Sequence, residues 1–167
     1  MDPEAKKTAQ RMIPYGLYVL TAATSAGRIS AATVNWVTQT SFKPPLVVVG
    51  VKADSLTHGL IEESGAFALN VLGSGQQALA FAFFKPVERE GQTIGGEPFH
   101  FGATGAPLIA NTPAFVECKV VQILKHGDHS IVVGEVVEAG VRQPPAGRAD
   151  EATLWLKDLG EKVFYGG

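Results

Sequence analysis

The sequence predicts a mainly β protein, a barrel with a few short peripheral helices. Two observations support this fold class. About six or seven short runs rich in β-branched and aromatic residues follow one another at the spacing of strands in a barrel. The segments with helical character are short and do not alternate regularly with the strands, as they would in a βαβ sheet. The chain has 167 residues, no internal repeat and no long linker, so one domain over residues 1–167 is expected.

Each predicted element in the first half of the chain has its own local signal. A helix is expected over residues 4–13, because Pro14 follows, and a β-branched and aromatic run predicts a first strand over residues 15–22. The turn signal at residues 25–28 predicts a hairpin between the first two strands. Residues 46–51 are apolar on both alternations, which predicts a strand buried on both faces. Short polar residues at 54–57 then predict a helix start, with the helix running to residue 64.

The second half of the chain is predicted to continue the β pattern, with one long irregular excursion. The polar, Gly-rich stretch at 85–107 has no periodicity and suits a segment that crosses over a site. The remaining expectations are a strand over 66–72, a short helix over 75–84, two strands over 114–124 and 130–139 joined by a turn at 125–129, a loop over 142–151, and a tail over 154–167 with room for one more strand.

Composition excludes several classes of function. Hydrophobic residues make up 46% and charged residues 18% of the chain, which favours a homo-oligomer that hides part of its surface, although an Ala- and Gly-rich sequence would also account for the numbers. The net charge is −2, and the Lys and Arg residues are scattered along the chain, so the sequence shows no basic patch for nucleic acid. No apolar signal region follows Met1, and no apolar run approaches the roughly 20 residues that span a bilayer. A soluble cytoplasmic protein is expected, with Cys118 as a small buried hydrophobe.

A polar segment at residues 33–41 precedes a Pro-Pro corner and the apolar strand at 46–51. Many hydrogen-bonding groups and backbone amides beside a flat aromatic suit a planar, amphiphilic ligand rich in acceptors, such as a flavin. A polar edge strand is the alternative explanation, and Trp36 could stack on the ring or fill the core or an interface. The candidate ring-binding residues are Thr33, Val34, Asn35, Trp36, Gln39, Thr40 and Ser41.

A second polar cluster, at the predicted helix start after the apolar strand, has the properties of a phosphate site. Free N–H groups and the helix dipole attract anions there. Lys52 adds a cation, and Ser55 and Thr57 add hydroxyl donors. An ordinary strand-to-helix turn with a Ser or Asp cap is the alternative, and Asp54 opposes an anion unless it caps the helix or pairs with Lys52.

The order of these segments resembles the flavin reductase-like, FMN-binding split-barrel family. The resemblance also runs through residues 15–22, 67–72, 106–108, 117–120 and 127–136, so it covers nearly the whole chain. It implies a split barrel, usually a homodimer with flavin near the subunit interface, in which Lys52, Ser55 and Thr57 contact the phosphate. The stretch at 34–37 departs from the small, Ser-rich form of many stand-alone reductases and is closer to flavoredoxin-like members.

The histidine turn at 125–129 is the one clustered set of ionisable residues in the sequence. Its close spacing makes a metal site doubtful, because three ligands in one short turn rarely close a tetrahedral shell. A structural Asp–His hydrogen bond is a second interpretation. The family resemblance implies a third, in which His129 lies near the flavin ring and helps to accommodate nicotinamide, with Asp128 orienting it.

The function expected from the sequence is an enzyme, an NAD(P)H-dependent flavin reductase. It would take hydride onto FMN, with FAD as a second cofactor candidate, and pass electrons to a flavin or a protein acceptor. The alternatives are a flavoredoxin-like electron-transfer protein that receives electrons from a redox protein partner, and a flavin-binding module without turnover. No dinucleotide fingerprint of the Gly-x-Gly-x-x-Gly type follows a strand, which leaves these alternatives open.

Overall fold

A seven-stranded antiparallel sheet forms the body of the protein in the computed structural model, which describes residues 1–166. Four short strands form a second, smaller sheet. In chain order the strands are β1 Tyr18–Ala23, β2 Ile29–Val34, β3 Val37–Phe42, β4 Pro45–Lys52, β5 Ala66–Val71, β6 Arg89–Glu90, β7 Thr93–Ile94, β8 Glu97–Phe101, β9 Pro107–Ile109, β10 Ala114–Leu124 and β11 His129–Val141. The large sheet has the order β2-β1-β5-β10-β11-β4-β3, and the small one β6-β7-β8-β9. The mainly β prediction is therefore confirmed.

Three α-helices accompany the strands: α1 Pro3–Arg11, α2 Leu56–Ser64 and α3 Gln77–Ala82. The predicted helix start at residues 54–57 is confirmed, because Ser55 caps α2 and accepts a hydrogen bond from the His58 N–H at 3.1 Å. Gly65 ends α2 in the left-handed conformation with φ 68°. No helix within residues 1–166 combines the length and the apolar character needed to cross a bilayer.

The large sheet curls until its two outer strands meet. β2 and β3 are the outer strands, yet only Asn35 and Trp36 separate them in the chain. The Gly50 N–H of β4 donates to the Trp36 carbonyl at 2.9 Å, which fastens this link to the neighbouring strand. From that point β2 and β4 part, and α2 packs against β1 and β2 beyond the gap. A wedge therefore opens between two strands, with the Asn35–Trp36 link at its narrow end.

Two apolar clusters pack on either side of the curled sheet. One lies inside the curl and includes Leu20, Val49, Phe67 and Val132, with Leu60 of α2 at its end. The other lies outside and joins α3, the small sheet and the chain near residue 154. The inner cluster contains Cys118, which is fully buried, and burial raises the pKa of its thiol to about 12. The expectation that Cys118 is a buried hydrophobe is confirmed.

Two predictions for the second half of the chain were wrong. Residues 85–107 are not irregular, since they contain β6, β7, β8 and the first residue of β9. These strands are only two to five residues long, and glycines with positive φ at 91, 95 and 96 separate them, so no alternation is visible in the sequence. The predicted tail forms a 3₁₀ turn at Leu156–Leu159 and no strand within residues 154–166, and a second 3₁₀ turn at Ala149–Ala152 precedes it.

Candidate functional site

The wedge between β2 and β4 contains a pocket of about 590 Å³. This volume lies in the usual range for small-molecule sites, about 300–1,000 Å³. Its walls come from β2, the end of β4, the start of α2, the segment 83–87 and the tail 163–165. Apolar side chains such as Leu17, Leu20 and Val87 contribute to these walls. The site therefore joins an apolar surface to a helix start and an open strand edge.

The structure brings many of the predicted site residues together in this pocket. Trp36 and Asp128 do not line the pocket, but both contact His129, which does. The Trp36 ring centroid lies 4.7 Å from that of His129, and the Asp128 carboxylate pairs with the His129 ring. Gln39, Thr40 and Ser41 lie on the outer strand β3, outside the pocket of the single chain. The predicted residues that line the pocket are Thr33, Val34, Asn35, Lys52, Ser55, Thr57 and His129.

At the α2 end of the pocket, backbone N–H groups are the available donors. The Ser55 hydroxyl donates to the Lys52 carbonyl at 2.7 Å and accepts from His58, so the cap already occupies it. Leu56 and Thr57 are the first residues of α2, and their N–H groups have no partner within the helix. Such groups, with the helix dipole behind them, favour an anion at this end.

The open edge of β2 offers a second row of backbone donors. The Thr33 N–H points away from β1 and donates to the Phe83 carbonyl at 3.0 Å. Because N–H directions alternate along a strand, the N–H of Ala31, two residues earlier in β2, points to the same side, toward the wedge. The Thr33 hydroxyl is already used, since it donates to the Ala80 carbonyl at 2.7 Å. Backbone groups rather than the predicted hydroxyls therefore line this edge.

Lys52 and His129 are direct partners in the β4–β11 ladder. Paired residues of an antiparallel ladder point to the same face and lie within about 5.5 Å at Cβ. The sequence assigned Lys52 to a phosphate end and His129 to a ring end, but the structure places them side by side. Lys52 also pairs with Asp54, with 3.2 Å between Nζ and Oδ1, and both side chains are more than half exposed.

Both ring nitrogens of His129 are engaged. Nδ1 lies 2.9 Å from Asp128 Oδ1, and Nε2 lies 2.7 Å from the Tyr165 hydroxyl. The hydrogen bond to His129 lowers the pKa of Asp128, so this group is a carboxylate that accepts the Nδ1–H. Burial raises the pKa of Tyr165, against the opposing effect of Lys52, so the phenol stays protonated and donates to Nε2. The two contacts hold the imidazole ring in one orientation, with Nδ1 toward Asp128 and Nε2 toward Tyr165.

The tail residues Phe164 and Tyr165 belong to the site, and sequence reasoning missed them. The Asn35 amide donates to the Tyr165 carbonyl at 3.2 Å, and the Tyr165 ring centroid lies 5.3 Å from that of Trp36. The Arg11 guanidinium stands 4.3 Å over the Phe164 ring. The only signal in the sequence was a pair of adjacent aromatics in a tail of otherwise mixed composition.

Within the part of the chain that the structure describes, no cluster of three or more His, Cys, Asp or Glu side chains could hold a metal ion. The histidine turn contains a hydrogen bond between Asp128 and His129, as its interpretation as a structural turn predicts.

Comparison with known proteins places the chain in a family. The model of the Flavin reductase like domain matches residues 10–158. A probable flavin reductase of Rhizobium meliloti (strain 1021) is 32% identical over 81% of this chain and 42% of its own length. The NADH:riboflavin 5′-phosphate oxidoreductase of Streptomyces pristinaespiralis is 28% identical over 94% of this chain and 86% of its own. The chain spans only 42% and 57% of the first two curated relatives it matches.

A solved structure gives the same assignment. The NADH:FAD oxidoreductase SgcE6 of Streptomyces globisporus C-1027 superposes with a TM-score of 0.71 and 31% identity, over 84% of this chain and 80% of that one. Its likeness in fold and in sequence agrees with the family match, which covers most of the curled sheet and the wedge. The chain belongs to the flavin reductase like domain family.

Proposed function

We propose that this protein is an NAD(P)H-dependent flavin reductase that binds FMN in the wedge and passes electrons to a flavin or protein acceptor. The observation that carries the proposal is the pocket between β2 and β4. It combines an apolar wall, backbone N–H groups at the start of α2 and at the edge of β2, and a histidine held at both ring nitrogens, in a chain of the flavin reductase like family. Relatives named as NADH-dependent flavin oxidoreductases support this activity over the flavoredoxin-like alternative.

The residues present fit a flavin. The N–H groups of Leu56 and Thr57 suit the phosphate, because an anion at a helix start is favoured by both hydrogen bonding and the dipole. The N–H group of Ala31 suits a ring carbonyl, and Leu17 and Leu20 supply apolar contact. When bound, the flavin would accept a hydride from the nicotinamide, a reaction in which the protein aligns the two rings and excludes water.

The proposed role of His129 is to shape the place where the nicotinamide approaches. Its two nitrogens are occupied, so it presents a fixed ring rather than a free base to the pocket. Asp128 and Tyr165 hold that ring, while Trp36 packs against it. Gln39, Thr40 and Ser41 stay predicted flavin contacts, to which the single chain gives no support.

A homodimer with a split-barrel protomer is the proposed assembly. Large apolar side chains are exposed on β3, β10 and β11, including Phe42 at 87%, Val121 at 57% and Val141 at 64% of full exposure. Such a face is costly in water and fits a second copy of the chain. Light scattering at micromolar concentration tests this, and a flavin-bound monomer would contradict it.

The activity is tested by mixing FMN-loaded protein with NADH or NADPH without oxygen and following the visible flavin absorbance. Rapid bleaching by either nicotinamide is the expected result. FMN that binds tightly, resists both nicotinamides and is reduced by dithionite would instead indicate an electron-transfer protein. Failure to bind any flavin would overturn both functions.

A further inference from the structure

A second groove lies on the far side of the tail from the flavin pocket. It runs between residues 11–15, at the end of α1 and just after it, and residues 155–165, and has a volume of about 610 Å³. Leu156, Val163, Phe164 and Tyr165 line both cavities. The groove and the wedge therefore share one wall, formed by the tail.

The groove has aromatic walls. Tyr15, Trp155 and Phe164 all line it. The Trp155 indole N–H donates to the Asp150 carbonyl at 3.2 Å, which holds that ring in place. Rigid aromatic surfaces of this kind stack on nucleobases with little dependence on base identity.

Two cations stand on the same groove. Arg11 and Lys157 line it, and neither forms an ion pair among residues 1–166. The carboxylate of Glu161 also lines the groove, which leaves an excess of one positive charge there. Arg11 is oriented by its contact with Phe164, so cation and aromatic ring are presented together. Cations beside aromatic faces suit a ligand that joins a base to phosphate.

We propose that this groove binds the adenosine 5′-diphosphate half of a dinucleotide, with the phosphates at Arg11 and Lys157 and the adenine against the aromatic walls. The inference rests on the proposed function in one respect: the other half of the dinucleotide occupies the wedge. Both FAD and NAD(P)H carry this adenosine half, so the shared chemistry identifies the site and experiment must identify the source. Such a groove is not visible in the sequence, because its two walls are at least 140 residues apart along the chain.

The first test is calorimetric titration of the full chain with ADP, which requires no flavin. Arg11→Ala and Lys157→Ala should each weaken ADP binding about three- to thirtyfold, because each removes a charge-assisted phosphate contact at a partly exposed site. Lys6→Ala is the matched control on α1 outside the groove, and should leave the affinity unchanged. Glu161→Gln should strengthen binding about twofold, because it removes the opposing charge. Melting temperatures for all four variants show that folding is retained.

The second test identifies the source. The affinity for FAD relative to FMN, and the affinity for NADH relative to reduced nicotinamide mononucleotide, are measured in wild type and in Arg11→Ala. The dinucleotide that uses the groove is the one whose advantage over its mononucleotide is lost in Arg11→Ala. ADP affinity unchanged in both cation variants would overturn the proposal, as would absence of ADP binding at millimolar concentration with both ratios intact. If Arg11→Ala dissociates a dimer but leaves the ADP affinity unchanged, the proposal is also overturned, because the groove then binds a second copy of the chain. Wild type that binds ADP but no flavin would refute the proposed function and leave the groove assignment standing.

Discussion

Replacing Tyr165 with Phe should destabilise the flavin-free protein by a small and predictable amount. The substitution removes one hydroxyl and keeps the ring, so the packing of the tail on Trp36 at 5.3 Å is retained. What is lost is the 2.7 Å hydrogen bond from the phenol to His129 Nε2. The experiment therefore isolates the contact that joins the tail to the histidine turn.

The magnitude follows from the exposure of the two partners. A neutral hydrogen bond contributes about 0.5–1.5 kcal/mol net to the free energy of unfolding. Tyr165 is 49% exposed, so water can replace part of the bond, whereas the His129 side chain is only 15% exposed and would be left with a poorly hydrated nitrogen. The expected loss is about 0.5–1 kcal/mol, in the lower half of the range. For a protein of this size, that lowers Tm by about 1–4 °C.

Thermal unfolding of the flavin-free protein, followed by circular dichroism, measures the effect. Tyr15→Phe is the matched control, because its hydroxyl forms no hydrogen bond within residues 1–166, and it should leave Tm nearly unchanged. A double-mutant cycle between Tyr165→Phe and His129→Ala should show a coupling of about 0.5–1 kcal/mol. Equal Tm values for Tyr165→Phe and Tyr15→Phe, with a coupling near zero, would refute the hydrogen bond between Tyr165 and His129.

Three further predictions concern the pocket. Lys52→Ala should weaken FMN binding about three- to tenfold, because this exposed cation is shared with Asp54, while Asp54→Asn should strengthen it; fluorescence titration with opposite shifts for the two variants is the diagnostic result. His129→Ala should leave the FMN dissociation constant within about threefold but slow single-turnover reduction by NAD(P)H about tenfold or more, and loss of flavin with unchanged reduction of the remaining holoprotein would contradict the placement of the ring. The raised pKa of Tyr165 predicts a contribution to stability that is complete below about pH 10 and lost as the pH rises through the higher folded value. Tyrosinate absorbance and Tm measured over this range should therefore change together in wild type, and the difference from Tyr165→Phe should vanish at the alkaline end.

Elements with strong local signals were predictable from the sequence. The apolar run at 46–51 lies within β4, the turn at 25–28 joins β1 to β2, and residues 114–124 coincide with β10. The two strands are long enough for the pattern of apolar residues to show which faces are buried, and the turn is identified by its own residues. The helix start at 54–57 was equally visible, since capping depends on residues within one turn.

Features that depend on distant contacts were not predictable. Tyr165 meets His129 across 36 residues and Asn35 across 130, and no spacing rule connects such positions in a single sequence. FMN was expected before FAD, but the groove beside the tail offers space for the adenosine half that FAD would add. The polar character of Gln39 and Thr40 was interpreted as ligand binding, whereas in the structure both are exposed on an outer strand. Polar side chains there agree with the alternative of a polar edge strand.

The free edge of β2 has a consequence for the life of the protein in a cell. An open strand edge is a template on which another chain can add a strand, so proteins usually cover it or keep it short. Here the Phe83 carbonyl covers the β2 edge at the Thr33 N–H, while the edge at Ala31 faces the wedge. A ligand seated in the wedge closes that edge. If the wedge binds a flavin as proposed, flavin supply during synthesis should govern how much of the protein stays dispersed and how much aggregates.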